Sequence, residues 1–166
     1  MTEPSSLANT EIRTRLIAAL NELYATQSDL LENETNERSA AHHFAICIAA
    51  TFPEWHVDVE YNRMGDRVKR LRECVPEHVH STSIHGGAIF PDIIVHKRGQ
   101  QGPNVLVVEL KKTNNPDRGG DVCKLKAMTA PAEQLGFGYE LGALVIVGPK
   151  EPGPIRWFAG GEELPQ

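Results

Sequence analysis

Two runs of branched aliphatic residues, separated by a short glycine-containing segment, constrain the fold of this chain more than any other feature. The first run is Ile93, Ile94 and Val95, and the second spans residues 105–108. Continuous runs of Val, Ile and Leu are typical of strands that are covered on both faces. The sequence therefore predicts two buried strands that follow each other closely along the chain.

Charged residues stand at the ends of these two runs. Asp92 follows Pro91 and precedes the first run, whereas Glu109 and Lys111 follow the second run. Because side chains alternate faces along a strand, Glu109 and Lys111 point to the same face. If the two strands pair as neighbours, Asp92 lies beside Glu109. Two carboxylates and an ammonium on one face are suited to holding a divalent cation and an activated water.

The same residues also fit a hairpin whose end is exposed to solvent. In that alternative, Glu109 and Lys111 form an ion pair and Asp92 caps a turn. A Glu-x-Lys triplet is common by chance, since charged residues make up about a quarter of an average chain. The informative feature is its position after an apolar run, where a charge is costly unless it is paired or binds a metal.

A helical pattern upstream adds a third carboxylate. The pattern covers roughly residues 37–52 and ends before Pro53. Its apolar residues recur at helical spacing, and they are Ala41, Phe44, Ile48 and Phe52. Glu37 lies on the same face at the start of the helix. It either stabilises the helix through the helix dipole or extends from the helix end into the metal site.

The remaining elements are predicted from similar patterns. Residues 11–24 form an amphipathic helix, and residues 27–36 are a polar link. Residues 56–62 alternate as a half-buried strand, in which Asp58 and Glu60 belong either to a solvated face, the favoured interpretation, or to a set of ligands. After Lys111, a helix begins with Asp121 as its N-cap, followed by a strand at residues 143–147 and a short edge strand at residues 155–158.

This order of elements resembles the PD-(D/E)XK nuclease superfamily, which has the restriction-endonuclease-like fold. The resemblance covers roughly residues 36–148. It implies an α/β fold with a central mixed β-sheet flanked by helices. We expect one domain, in which residues 1–35 form an N-terminal helix and linker and residues 36–166 form the nuclease-like core.

The resemblance also implies roles for individual residues. Asp92 and Glu109 would bind Mg²⁺ or Mn²⁺, and Glu37 would add to the metal site. Lys111 would assist the attacking water or steady the scissile phosphate. The expected activity is that of a metal-dependent phosphodiesterase of the endonuclease type, acting on DNA. The alternative is a non-catalytic module of the same fold that serves nucleic-acid binding or protein assembly.

Cationic residues elsewhere are candidate contacts to nucleic acid. Residues 63–73 include Arg67, Lys69 and Arg70, and Lys/Arg clusters supply most sequence-independent affinity for nucleic acid. A solvated loop or short helix is the other interpretation of this segment. Lys124 likewise either faces a phosphate or is an ordinary surface residue of its helix.

Composition limits the class of protein. The chain has 166 residues with a formal net charge of −5, which argues against a generic nucleic-acid-coating protein. We expect no membrane contact, since no apolar run approaches a membrane-spanning length. Three scattered cysteines and no secretory pattern predict a cytoplasmic protein. The small size predicts that specificity comes from a homodimer or a larger assembly.

Overall fold

The computed structural model describes residues 7–33, 36–61, 90–100, 102–134 and 137–166, together with the backbone of four two-residue strands between residues 63 and 89. Its helices, in chain order, are α1 (Asn9–Thr26), α2 (Ser28–Glu32), α3 (Glu37–Thr51) and α4 (Gly119–Thr129), followed by a 3₁₀ turn at Ala132–Gln134. None of the helices in these ranges is long and apolar enough to cross a membrane.

Ten strands are described. They are β1 (His56–Val59), β2 (Arg63–Met64), β3 (Arg67–Val68), β4 (Ile84–His85), β5 (Ala88–Ile89), β6 (Ile93–His96), β7 (Asn104–Lys112), β8 (Leu141–Val147), β9 (Arg156–Ala159) and β10 (Glu162–Glu163). The strand pairs β2–β3 and β4–β5 are two small antiparallel hairpins outside the main sheet.

The main sheet has six strands in the order β1-β6-β7-β8-β9-β10. Strands β7 and β8 are parallel, whereas the other neighbouring pairs are antiparallel, so the sheet is mixed. The predicted α/β class with a central mixed sheet and flanking helices is thereby confirmed. The segment predicted as an edge strand forms β9, and it is not at the edge because β10 pairs outside it.

Alternation along the buried strands divides the core into two layers. Ile93 and Val95 pack with α1 and α3 on one face, whereas Ile94 packs with α4 on the other. Every residue of β6 is buried, as the continuous apolar run predicted. The sheet face under α4 therefore receives the side chains that share the orientation of Ile94.

Both predicted N-terminal helices are present. In α1, Ile12, Leu16, Leu20 and Leu23 are buried, as their spacing predicted. Helix α3 begins after Asn36, whose side chain accepts a hydrogen bond from the Ser39 backbone N–H at 2.9 Å. The polar link predicted between these helices contains the short helix α2.

Close packing of α4 on β8 depends on Gly142. A Cβ atom at this position would lie 3.0 Å from Thr129 Cγ2 and 3.3 Å from Leu125 Cδ2, both in α4. We expect Gly142→Ala to destabilise the protein by about 1–3 kcal/mol through overpacking. Gly119→Ala is the control, because a Cβ there meets nothing within 4 Å. Urea unfolding of both variants measures the difference, and equal stabilities would contradict this packing.

Candidate functional site

The predicted carboxylate pair lies where β6 begins and β7 approaches its end. Ile93 pairs with Val108 in the antiparallel register, so the register continued by one residue places Asp92 opposite Glu109. The Asp92 Oδ2 atom accepts a hydrogen bond from the Leu110 backbone N–H at 2.8 Å. The two strands pair as neighbours, which brings together the carboxylate that precedes β6 and the carboxylate near the end of β7.

Glu109 is almost completely buried, with 1% of its surface exposed. Its Oε2 atom lies 2.7 Å from the Lys124 Nζ atom of α4. Its Oε1 atom is buried and has no hydrogen-bond partner within the part of the chain that the structure describes. A buried carboxylate oxygen without a partner is costly, and a bound cation would satisfy such an atom.

Lys111 projects from β7 on the same face of the sheet as Glu109, and its side chain lies between two acidic side chains. Its Nζ atom is 3.1 Å from Asp121 Oδ2 in α4 and 3.9 Å from Glu37 Oε2 in α3. The side chain retains 20% of its exposure, so the ammonium is held in place and still reaches solvent. It is the more accessible of the two ammonium groups at this site, since Lys124 is 3% exposed.

Glu37 links the start of α3 to the end of β7. Its Oε1 atom accepts hydrogen bonds from the Lys112 backbone N–H and the Asn115 side-chain amide, each at 3.2 Å. Within the described ranges, no group of three or more His, Cys, Asp or Glu side chains could hold a metal ion. The structure therefore brings Asp92 and Glu109 together as a pair, and it places Glu37 at the edge of the site against Lys111.

Asp121 is the residue that sequence reasoning did not include in the site. It was predicted to be the N-cap of its helix, which is wrong: α4 begins at Gly119, and Asp121 lies in its first turn. Its Oδ1 atom is 3.4 Å from Lys124 Nζ, and its other oxygen contacts Lys111. The acid and the lysine three residues later share one helix face, which is the signal that could have identified the pair.

The surface alternative for Lys124 is wrong. The side chain is buried beneath α4 against the sheet, and its ammonium bonds to Glu109. Burial alone would lower the pKa of Lys124, but the surrounding carboxylates, Glu109 first, raise it above its ordinary value. The lysine is therefore charged at neutral pH. Contact between Lys124 and a phosphate stays a prediction.

Burial dominates the electrostatics of the Asp92 and Glu109 carboxylates. It raises the pKa of Glu109 well above its usual range, and repulsion from Asp92 raises it further. The pKa of Asp92 is also raised, first by burial and then by the charge of Asp121. Without a compensating cation, the two opposed carboxylates disfavour the form in which both are ionised.

Six charged side chains make up what we call the charged cluster: Asp92, Glu109, Asp121, Glu37, Lys111 and Lys124. The cluster contains four carboxylates and two ammonium groups. When all six are ionised, two formal negative charges are left uncompensated. One divalent cation would neutralise them, and its oxygen ligands would be of the kind that Mg²⁺ and Mn²⁺ prefer.

The predicted basic patch cannot be placed. Arg67 lies in β3, whose backbone pairs with β2, and its side chain is not described. Lys69 and Arg70 fall outside the described residues, as do all of residues 71–83. Their contact with nucleic acid stays a prediction from the sequence.

The strand pattern predicted that Asp58 lies on a solvated face, and this prediction is wrong because the side chain is 17% exposed. Its Oδ2 atom is 2.8 Å from His96 Nε2, and Arg98 also binds the carboxylate. Burial would raise the pKa of Asp58, but the hydrogen bonds from Arg98 and His96 lower it below its ordinary value. The contact between Asp58 and His96 joins β1 to β6 at the end of β6 remote from Asp92.

The opposite pKa shifts of Asp92 and Asp58 predict opposite pH effects. A raised folded-state pKa contributes stability at low pH that is lost as pH rises through that pKa, and a lowered one does the reverse. In EDTA, we expect Asp92→Asn to gain stability relative to the wild type as pH rises above the ordinary value of 3.8. Asp58→Asn should lose relative stability as pH rises toward the ordinary value of 3.8, because the folded-state pKa of Asp58 lies below that value. Urea unfolding between about pH 2 and 8 measures both effects, and a shared sign of the two changes would contradict the electrostatic assignment.

Comparison of the chain with protein-family models, curated proteins and solved structures finds no match. The functional interpretation consequently depends on the residues themselves: a buried carboxylate pair on neighbouring strands, and a lysine on the same face that is held by acidic side chains.

Proposed function

We propose that the protein is a metal-dependent nuclease of the restriction-endonuclease-like fold that hydrolyses phosphodiester bonds in DNA. One observation carries the proposal. Asp92 and Glu109 face each other across two neighbouring strands, and a buried Glu109 oxygen lacks a hydrogen-bond partner among the described residues. A structural ion pair would not need that second carboxylate or the unsatisfied oxygen.

The two carboxylates fit a divalent cation of the Mg²⁺ or Mn²⁺ type. They offer hard oxygen ligands, and the fully ionised charged cluster would have two negative charges that its own lysines do not neutralise. When bound, such an ion polarises a phosphoryl oxygen and lowers the pKa of a bound water. Glu37 is a candidate to assist at the edge of the site.

Lys111 is the residue proposed to act on the substrate. Its ammonium is partly exposed and is positioned by Asp121 at 3.1 Å. Burial would lower the pKa of Lys111, but Asp121 and Glu37 raise it, so the side chain stays positive. A positive charge fixed in advance stabilises the negative charge that develops on the phosphate or on the attacking hydroxide.

Nucleic acid is the proposed partner despite the formal net charge of −5. A local basic patch and an acidic catalytic site coexist readily, because association depends on the local field and not on net charge alone. Arg67, Lys69 and Arg70 are the proposed backbone contacts. A homodimer or a larger assembly would supply sequence specificity.

Substrate class is tested by incubating the pure protein with plasmid, linear duplex and single-stranded DNA and with RNA, each in Mg²⁺, Mn²⁺ or EDTA. We expect cleavage of DNA that depends on the metal ion and is absent in EDTA. Cleavage of RNA alone would correct the substrate. Absence of cleavage from every reaction would contradict autonomous nuclease activity.

A non-catalytic module is the second candidate, and the Lys124–Glu109 ion pair favours it. At 2.7 Å, this contact already compensates one buried carboxylate without a metal. Calorimetric titration with Mn²⁺ separates the two candidates. A catalytic site binds Mn²⁺ and loses binding in Asp92→Asn and Glu109→Gln, whereas a scaffold has no such dependence.

A further inference from the structure

The ion pair between Lys124 and Glu109 occupies the carboxylate that the proposed metal site also needs. The Lys124 ammonium is 2.7 Å from Glu109 Oε2 and 3.4 Å from Asp121 Oδ1, and both partners of the Glu109 pair are at least 97% buried. Helix α4 packs on β7 and β8 and fixes the lysine in this position. Its charge is therefore a permanent part of the site.

A fixed ammonium and a divalent cation on the same carboxylate repel each other. The repulsion between like charges grows as burial lowers the effective dielectric constant, and a divalent ion carries twice the charge of the ammonium. The ion must either share Glu109 with Lys124, using the free Oε1 atom, or displace the ammonium from Oε2. Both routes weaken metal binding relative to a site without the lysine.

We propose that Lys124 is a built-in counter-ion that competes with the divalent cation for Glu109. This inference rests on the proposed function and adds regulation of the same site. In the metal-free protein, the ammonium neutralises a carboxylate that would otherwise be buried and unpaired. In the metal-bound protein, the same charge opposes the ion and sets a weaker affinity, so that metal occupancy responds to the free concentration of the ion.

Lys124→Gln tests the proposal, because Gln retains a hydrogen-bond donor and removes the charge. Lys124→Met is the second variant, which removes the donor as well. Lys126→Met is the matched control: Lys126 lies in the same helix and pairs with Glu162 at 3.3 Å, but both side chains are exposed. Calorimetry with Mn²⁺ gives the dissociation constants, and thermal unfolding in EDTA and in Mn²⁺ gives the stabilisation by the ion.

Lys124→Gln should bind Mn²⁺ roughly tenfold or more tightly than the wild type, since a repulsive charge has been removed. In EDTA, its melting temperature should be lower than that of the wild type. Addition of Mn²⁺ should raise its melting temperature by more than it raises that of the wild type. Lys126→Met should match the wild type in both measurements. If Lys124→Met does not fold in EDTA, its folding on addition of Mn²⁺ would support the same conclusion.

Two results would overturn the proposal in distinguishable ways. Equal or weaker Mn²⁺ binding by a folded Lys124→Gln, beside a wild type that binds the ion, would overturn competition and leave the nuclease proposal intact. Absence of Mn²⁺ binding from the wild type and from both Lys124 variants would overturn competition together with the metal site itself.

Discussion

Glu109→Gln and Lys111→Met should each lower the rate of DNA cleavage by roughly 10²–10³-fold or more, and for different reasons. Glu109→Gln removes a proposed metal ligand, so Mn²⁺ binding and cleavage should be lost together. Lys111→Met removes a charge that is proposed to act on the phosphate, so the protein should still bind Mn²⁺ while cleavage is lost. Single-turnover cleavage rates and calorimetric titrations of the same samples measure both effects.

The exposed pair Lys126 and Glu162 supplies controls with the same residue types. Their charged atoms lie 3.3 Å apart at the surface, and Lys126→Met and Glu162→Gln should cleave at the wild-type rate. Wild-type cleavage by folded Glu109→Gln or Lys111→Met would defeat the catalytic assignment of that residue. Loss of Mn²⁺ binding in Lys111→Met would contradict the separation of roles.

Phe44→Ala should destabilise the protein by about 3–5 kcal/mol. Phe44 is fully buried between α3 and the sheet, in the layer that contains Ile93 and Val95. Truncation removes its apolar surface from the core and leaves a cavity. The midpoint and slope of urea unfolding give the change in the free energy of unfolding. The result bears on the site because α3 positions Glu37 there.

Ile46→Ala is the matched control for Phe44→Ala. Ile46 lies two residues further along α3, and its side chain is 55% exposed. Its truncation should change the free energy of unfolding by no more than about 0.5 kcal/mol. Similar losses in the two variants would contradict the orientation of α3 on the sheet.

Periodicity was sufficient to predict the elements that hold the carboxylate pair. The apolar runs before Glu109 and after Asp92 are long enough to specify strands, and the spacing of Ala41, Phe44 and Ile48 specifies one face of α3. Local pattern works here because each element is buried continuously along one or both faces.

The contacts that α4 makes could not be predicted in the same way. Whether Lys124 is buried depends on how closely its helix approaches β8, and that distance depends on Gly142 in another element. The roles of Asp121 and Asp58 likewise depend on partners 10 or more residues away, Lys111 and His96. Ion pairs between elements are properties of tertiary packing, and hydrophobic patterns carry no information about them.

Lys124 is the residue whose interpretation changed most. The sequence left it as a surface residue or a phosphate contact, whereas the structure makes it the partner of Glu109. A buried lysine beside a proposed metal ligand changes the expected behaviour of the site: the metal-free state is stabilised, and the metal-bound state forms against a charge already present.

The most direct measurement follows plasmid cleavage through removal and return of the metal ion. Wild-type protein and Glu109→Gln are incubated with plasmid in Mn²⁺, then with EDTA, and then with excess Mn²⁺. We predict that wild-type cleavage stops in EDTA and resumes when Mn²⁺ is restored, while Glu109→Gln remains inactive throughout. Cleavage by the wild type that continues in EDTA, or equal cleavage by Glu109→Gln, would contradict a metal-dependent nuclease built on Asp92 and Glu109.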